Sequence, residues 1–333
     1  HWIAEPWDGG PRGYQLGRFP GRFMEWNDKF RDAVRGYWLG TGVTRGELAL
    51  RFTASSDVFH HSQRLPTASI NFVSVHDGYT LADVVSYSHK HNQANGESNR
   101  DGRDDELCAN FGCEGPTSEP AIMARRERVR RAMMATLLLA QGTPMLCAGD
   151  ESGNSQQGNN NAYCQDHEIS WYDWQWEPWQ SDLKVFASQV LHLRRLHTAF
   201  RQRYFFDGRP LHEGGPKDLA WLAPNGRELA EADWHAANSR TLGMFLAGEL
   251  HGTDDEGQPI RDQSFLVLLH AGAAPVEFTL PGAPYGQAYH RILDTSTGQA
   301  IEAGPQYRAG TAVTLAPRSL MAFHAVPLGD GSP

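Results

Sequence analysis

The stretch Ile70-Asn71-Phe72-Val73-Ser74-Val75-His76-Asp77-Gly78-Tyr79 decides how this chain is read. Ile70, Phe72, Val73 and Val75 are branched or aromatic, and the run stops at a glycine, which is the pattern of a buried strand. A histidine and an aspartate stand where that strand opens into a loop. On its own the stretch is equally a buried strand closed by an Asp-Gly turn. A second stretch, Trp2-Ile3-Ala4-Glu5-Pro6-Trp7-Asp8-Gly9-Gly10, is an apolar strand that ends in a carboxylate and runs into a glycine-rich loop. In a parallel barrel of roughly 250 residues and eight strand-helix units, each unit takes about 31 residues, and chemistry sits at the carboxyl ends of the strands. The spacing of Glu5 and Asp77 suits two such units with one strand between them. Phe23-Met24-Glu25-Trp26-Asn27 reads as that strand.

Composition narrows the function classes. A length of 333 residues predicts about two domains with ample core. A formal charge of −9 argues against nucleic acid, because no dominant basic surface neutralises phosphates. It suits a neutral partner such as a polysaccharide. Ten tryptophans and ten tyrosines fit a sugar ligand, whose C–H faces stack on aromatic rings, although most aromatics serve the core. Cys108, Cys113, Cys147 and Cys164 form no C-x-x-C pair or zinc-like spacing, so free thiols in a reducing cytosol are expected. No run of 18 apolar residues exists to span a membrane. The chain opens at His1 directly on an apparent strand, so the protein is expected to begin upstream. The doublet His60-His61 is a poor chelate, because adjacent side chains point apart, and no metal site is read.

Along the chain, Lys29 to Trp38 reads as helix, and Glu47 to Phe52 with Ser55–Asp57 as a second short one. Between Tyr79 and Pro120 lies a long polar stretch, which is either a substrate-facing loop over the strand ends or a solvated, mobile insertion. Thr80 to Ser88 opens it with a helical turn. Ile122 to Gln141 is a helix, its first half carrying Arg125, Arg126, Arg128, Arg130 and Arg131 as an expected solvated face. Met145 to Ala148 reads as a further barrel strand ending at Gly149-Asp150-Glu151, and Leu183 to Phe200 as the last barrel helix. Beyond residue 205 the pattern changes to short strand runs, at Leu219–Leu222, Thr241–Leu246, Ser264–His270, Val276–Leu280, Ala312–Leu315 and Ser319–His324, separated by Gly, Pro and Asp-rich turns. That reads as an antiparallel β-sandwich. The fold expected is therefore α/β plus all-β: residues 1–205 as the C-terminal half of a (β/α)8 TIM barrel, and residues 206–333 as the sandwich.

Both strand-end motifs, together with Gly96-Glu97-Ser98-Asn99-Arg100-Asp101-Gly102, Gln141-Gly142-Thr143-Pro144-Met145-Leu146, Gly149-Asp150-Glu151 and Gly158 to Asp166, resemble the α-amylase superfamily of glycoside hydrolases. The form they resemble is that of bacterial glycogen-debranching enzymes and isoamylases, over roughly residues 1 to 205. The resemblance implies cleavage of α-1,6 branch linkages in glycogen or limit dextrin, by a retaining mechanism without a redox or nucleotide cofactor. Such cleavage needs two carboxyl groups about 5 Å apart. Glu5 matches the general acid/base, and a neighbourhood of Ile3, Pro6 and Trp7 is expected to desolvate it and keep it protonated near neutral pH. Asp77 matches the acid that stabilises the oxocarbenium-like transition state. His76 matches a substrate ligand beside it, and Trp7, Asp150, Asn160 and Asn161 are further candidates to bind sugar. No D-x-[DN]-x-[DN]-G run supports a calcium site.

The chain departs from the family pattern in one respect. The family's nucleophile is an aspartate on the strand before the one ending at Glu5, two residues after an arginine, and no segment here offers it. Three readings follow: a debranching hydrolase whose nucleophile lies upstream, another superfamily hydrolase (an isoamylase on starch, or an α-1,4-acting enzyme), or a non-catalytic glucan-binding protein. On the first reading, this polypeptide alone turns over branched glucan at least tenfold more slowly than a typical enzyme, for which kcat is on the order of 10 per second. Release of reducing ends from glycogen measures this, and a rate within that factor overturns the expectation.

Overall fold

The computed structural model describes residues 1–236, 239–253, 256–300 and 304–327. Its first unit is built on a four-stranded parallel sheet, β1 (Trp2–Ala4), β2 (Phe23–Asn27), β3 (Ser69–Asn71) and β4 (Thr143–Pro144), in that spatial order. Helices α1 (Asp28–Leu39), α2 (Arg45–Phe52), α3 (Ser56–Phe59), α4 (Leu81–Val84), α5 (Pro120–Leu139) and α6 (Pro178–Leu196) surround it. Local chemistry sets their ends. Asn27 caps α1, its Oδ1 accepting from the Phe30 N–H at 3.2 Å, and Gly40 stops it at φ 81°. Prolines open α5 and α6 at the first turn, where a missing N–H costs nothing.

Register gives the parallel sheet two unlike faces. Ala4, Glu25 and Ser69 are aligned across β1, β2 and β3, with Asn27 opposite Asn71, and all five are buried. The polar members satisfy one another: Asn27 Nδ2 donates to Ser69 Oγ at 2.8 Å, Ser69 Oγ to Asn71 Oδ1 at 2.7 Å, and Glu25 pairs with Arg64. The opposite face carries Ile3, Met24, Trp26 and Ile70, and it is uncovered along the edge strand β1, where Ile3 is 55% exposed.

The second unit is antiparallel. Its strands are β5 (Leu219–Leu222), β6 (Thr241–Leu246), β7 (Glu249–Thr253), β8 (Pro259–Arg261), β9 (Ser264–His270), β10 (Val276–Thr279), β11 (Ala288–Asp294), β12 (Gln299–Ala300), β13 (Gln306–Arg308), β14 (Ala312–Leu315) and β15 (Ser319–Val326). Seven of them form one sheet, ordered β12-β11-β15-β9-β6-β5 with β13 beside β11. The period-two alternation of β9 serves two cores. Phe265, Val267 and Leu269 join Phe30, Trp38, Met133, Leu137 and Phe186 of the helices, whereas Leu266 and Leu268 join Phe278 and Leu315 of the small β10-β14 sheet. The large sheet is thus a middle layer.

Three expectations are corrected. Residues 145–148 form no strand: the ladder ends at Pro144, after which the Met145 N–H still reaches Asn71 O at 2.7 Å, because the partner strand β3 itself ends there. Apart from the exposed Arg125, the arginines of α5 are not a solvated face. Arg126 is buried and donates to the carbonyls of Gly115, Asn110 and Cys113, and Arg130 lies 3.9 Å over the Trp179 ring. Arg128 and Arg131 cross to the antiparallel unit, donating to Pro317 O at 3.0 Å and Thr295 O at 2.8 Å. Finally, β11 lies inside the large sheet although its sequence was not read as a strand. A register shift between Arg291 and Leu293 breaks the alternation by which such a strand is recognised.

Arg35 of α1 holds the loop that follows β3. Its Nε donates to Val73 O at 2.7 Å, its Nη2 to Tyr79 O at 3.3 Å, and its Nη1 to Glu106 Oε1 at 2.6 Å, while the Tyr79 N–H donates to the same carboxylate at 2.9 Å. The pair is 1% and 5% exposed. Removing one partner strands the other charge in the interior. Glu106→Gln is therefore expected to destabilise the fold by about 3–5 kcal/mol in urea unfolding, and a loss below about 1 kcal/mol contradicts this role. His324 supplies a pH test. Burial, and then the neighbouring His197, push it down to about 4. The folded state thus prefers neutral His324, and its contribution is present above the ordinary value near 6.5 and lost as pH falls through about 4. His324→Leu is expected to flatten the fall in Tm between pH 6.5 and 4, and an unchanged slope rejects this assignment.

Candidate active site

A row of rings crosses the carboxyl ends of the first three strands. Trp7 follows β1, Trp26 belongs to β2 and His76 follows β3. Trp7 and Trp26 have ring centroids 6.3 Å apart, and His76 meets Trp26 edge-on at 5.7 Å. Phe72 packs on Trp26 at 5.9 Å. The register that sets Trp26 opposite Ile70 brings these rings to one level. Glu5, the residue after β1, and Asp77, the residue after His76, consequently stand beyond the two strands that flank β2.

The local environments of these residues differ from expectation in one respect. Glu5 is exposed and so is Ile3, and of the neighbours expected to desolvate Glu5 only Pro6 is buried. The open face along β1 is the reason. His76 is exposed as well, and Trp7 and Asp77 are half-buried. The Oδ1 atom of Asp77 is buried yet has no hydrogen-bond partner, a cost that structures rarely leave in place without a use.

The remaining candidates are drawn into the framework. Asp150 is buried; Ser74 Oγ donates to its Oδ2 and the Leu81 N–H to its Oδ1 at 2.8 Å. Burial pushes its carboxyl up to about 6 against those two bonds. Asn160 is buried, accepting from Asn92 Nδ2 at 2.8 Å and donating to Arg103 O at 2.9 Å and Glu106 Oε2 at 3.1 Å. Asn161 donates to Asp101 Oδ2 at 2.9 Å. Each of the three holds a loop in place through these bonds, and their reading as sugar ligands remains a proposal. Sequence reasoning passed over Arg35, Glu106 and Asp83. Asp83 is buried and pushed up to about 6 by that burial, while accepting from Ser155 Oγ at 2.5 Å and the Gln156 N–H at 2.8 Å. No local pattern marks these residues: Glu106 lies in a polar run, and Arg35 and Asp83 are single charges among apolar neighbours.

The long polar stretch is packed rather than loose. Lys90 and Asn92 are buried; Lys90 Nζ donates to Asp101 O at 2.8 Å and Asn92 Nδ2 to the same carbonyl at 3.0 Å. Gly102 (φ +70°) is required here, since a Cβ would lie 2.3 Å from Asn160 Oδ1 and 2.6 Å from Asn92 Nδ2. Among the described residues, the only grouping of three metal-capable side chains is His89, His91 and Glu114. His60 and His61 are both exposed and belong to no such grouping. All four cysteines are free, and no helix of the described residues is long and apolar enough to cross a membrane.

Comparison with known proteins places the chain. Residues 218–319 match the family described as isoamylase, C-terminal. The chain is 50% identical over 296 residues to a glycogen operon protein GlgX homolog of Mycobacterium tuberculosis (strain ATCC 25618 / H37Rv), covering 88% of this chain and 41% of that protein. It is 44% identical over 304 residues to a glycogen debranching enzyme of Serratia proteamaculans (strain 568), covering 90% and 42%. Its fold resembles that of a pullulanase from Bacillus acidopullulyticus, with a TM-score of 0.67 at 18% identity, covering 97% of this chain and 34% of that one. The chain therefore spans about two fifths of the length of the curated relatives it matches. The chain is thus similar over most of its length to part of a glycogen operon protein GlgX homolog and of a glycogen debranching enzyme, and residues 218–319 match the isoamylase C-terminal family.

Proposed function

We propose that this chain supplies the acid half of the active site of a glycogen-debranching glycoside hydrolase, which cleaves α-1,6 linkages of glycogen or limit dextrin with retention. In this reading residues 1–205 are the second half of a (β/α)8 barrel, residues 206–333 are its sandwich domain, and the protein works in the cytoplasm. The open apolar face along β1 supports the half-barrel, because a closed barrel buries such a face and leaves no free edge. The names of the relatives support the substrate.

The observation that carries the site is Asp77 Oδ1, buried and without a partner, beside a ring row that runs from Trp7 through Trp26 to His76. A sugar supplies what that atom lacks, since a hydroxyl can donate to it while the C–H face of the ring lies against the indoles. In the retaining mechanism Glu5 protonates the glycosidic oxygen as the bond breaks, and afterwards takes a proton from the attacking water. Asp77 holds sugar hydroxyls and stabilises the positive charge that develops on the sugar ring. The carboxylate that attacks the sugar carbon would come from a strand paired to the free edge of β1. Closing that face would also shield Glu5 from water.

In the protein that contains this chain, Glu5→Gln is expected to lower kcat on glycogen limit dextrin by about 10²–10⁴-fold. Glucan affinity, measured by calorimetry, should stay within about threefold. Asp77→Asn is expected to lower kcat as much while also weakening binding. Linkage analysis of the products tests α-1,6 cleavage, and release of α-1,4-linked products alone, or full activity of the Glu5→Gln variant, removes the proposal.

A further inference from the structure

We propose that His89, His91 and Glu114 form a divalent-metal site of the kind that takes Zn²⁺, clipping the loop after α4 to the segment that precedes α5. His91 Nε2 lies 2.8 Å from Glu114 Oε1 and His89 Nδ1 lies 3.3 Å from the same oxygen, and no two of the ligand atoms are more than 4.8 Å apart. Zinc held at about 2.0–2.1 Å by two imidazoles and a carboxylate keeps its ligand atoms roughly 3.4 Å from one another and leaves a fourth position for water. The His89 distance already stands near that value, and the His91 distance would lengthen by roughly half an ångström as the metal replaces the shared proton. His89, at 65% side-chain exposure, is free to make the remaining adjustment.

The ligands are aimed by neighbouring side chains, of which Ser88 also contacts His89 Nδ1 at 3.1 Å through its Oγ. Glu114 Oε2 is held by Ser88 Oγ at 2.6 Å and Asn110 Nδ2 at 2.9 Å, which turns Oε1 toward the two imidazoles. Such outer contacts orient a ligating carboxylate. His91 is fixed by its N–H to Gly158 O at 2.8 Å and by the edge of the Tyr87 ring at 5.1 Å. Between the two histidines, Lys90 is buried and anchored on the Asp101 carbonyl. The His-x-His spacing sends both rings to the same side, with centroids 4.6 Å apart, whereas the adjacent His60 and His61 cannot converge.

The test is calorimetric titration of the protein with ZnCl₂ near neutral pH, with MgCl₂ and CaCl₂ as controls, and Co²⁺ as a spectroscopic probe of the site. The expected result is one Zn²⁺ equivalent with release of protons, no comparable binding of Mg²⁺ or Ca²⁺, and the visible absorption of four-coordinate Co²⁺. His89→Ala, at an exposed position that the fold does not need, should lower Zn²⁺ affinity more than about tenfold and abolish the Co²⁺ band. Asn110→Ala, which removes the bond to Glu114 and also the turn bond to the Gly112 N–H, should lower affinity about tenfold. The double variant His60→Ala, His61→Ala should leave both readouts unchanged. If His89→Ala binds Zn²⁺ as tightly as the parent, or if the band persists, the three side chains share only a proton and the proposal is wrong.

Discussion

The buried pair between Arg35 and Glu106 is the constraint on which the candidate site rests. Arg35 comes from the middle of α1 and Glu106 from the long polar stretch, and they meet beneath the loop that joins β3 to α4. Between them they bind the carbonyls of Val73 and Tyr79 and the N–H of Tyr79, so both ends of the segment that contains His76 and Asp77 are fixed. Such a pair adds little to stability compared with an apolar replacement, but it tolerates no partial version of itself. That intolerance makes the loop a rigid platform, and rigidity is what places Asp77 Oδ1 where it finds no partner from its own chain.

Glu106 also accepts from Asn160, and Asn160 from Asn92, so the same carboxylate extends into a network that orders the polar stretch. Each member of the network meets the hydrogen-bonding need of another, which is how a run of Asn, Asp, Lys and Arg can be packed without an apolar core. Apolar packing does its part elsewhere. The seven-stranded sheet presents one face to α1, α5 and α6 and the other to the small β10-β14 sheet, while arginines of α5 reach across to carbonyls of the antiparallel unit. The platform and the antiparallel unit therefore pack on one another.

Much of this architecture was legible in the sequence. Strands at Trp2, Phe23 and Ile70, the helices between them and the change to short strands after residue 205 follow from hydrophobic period and from turn residues, which are local properties of the chain. The regular spacing of those strands was enough to set Glu5 and Asp77 on either side of β2. Other features were hidden. β11 carries a register shift that spoils its alternation, and the strand read at Met145–Ala148 has no neighbour to pair with. Arg126 and Arg130 look like surface residues by composition, yet the structure buries both.

The sequence by itself determined the first three parallel strands and the helices beside them, the change to antiparallel strands and which acids stand at the strand ends, because each is written in runs of a few neighbouring residues. Only the tertiary structure decided which polar groups are free and which are consumed. Asp150 carries the same carboxylate as Asp77, and Asn160 an amide whose oxygen also accepts, so both look able to bind a sugar. Their partners, Ser74 and Asn92, lie far away in the chain and are brought to them by folding, while Asp77 Oδ1 is left alone. Whether a buried polar atom is satisfied depends on groups distant in sequence, and no local pattern encodes that.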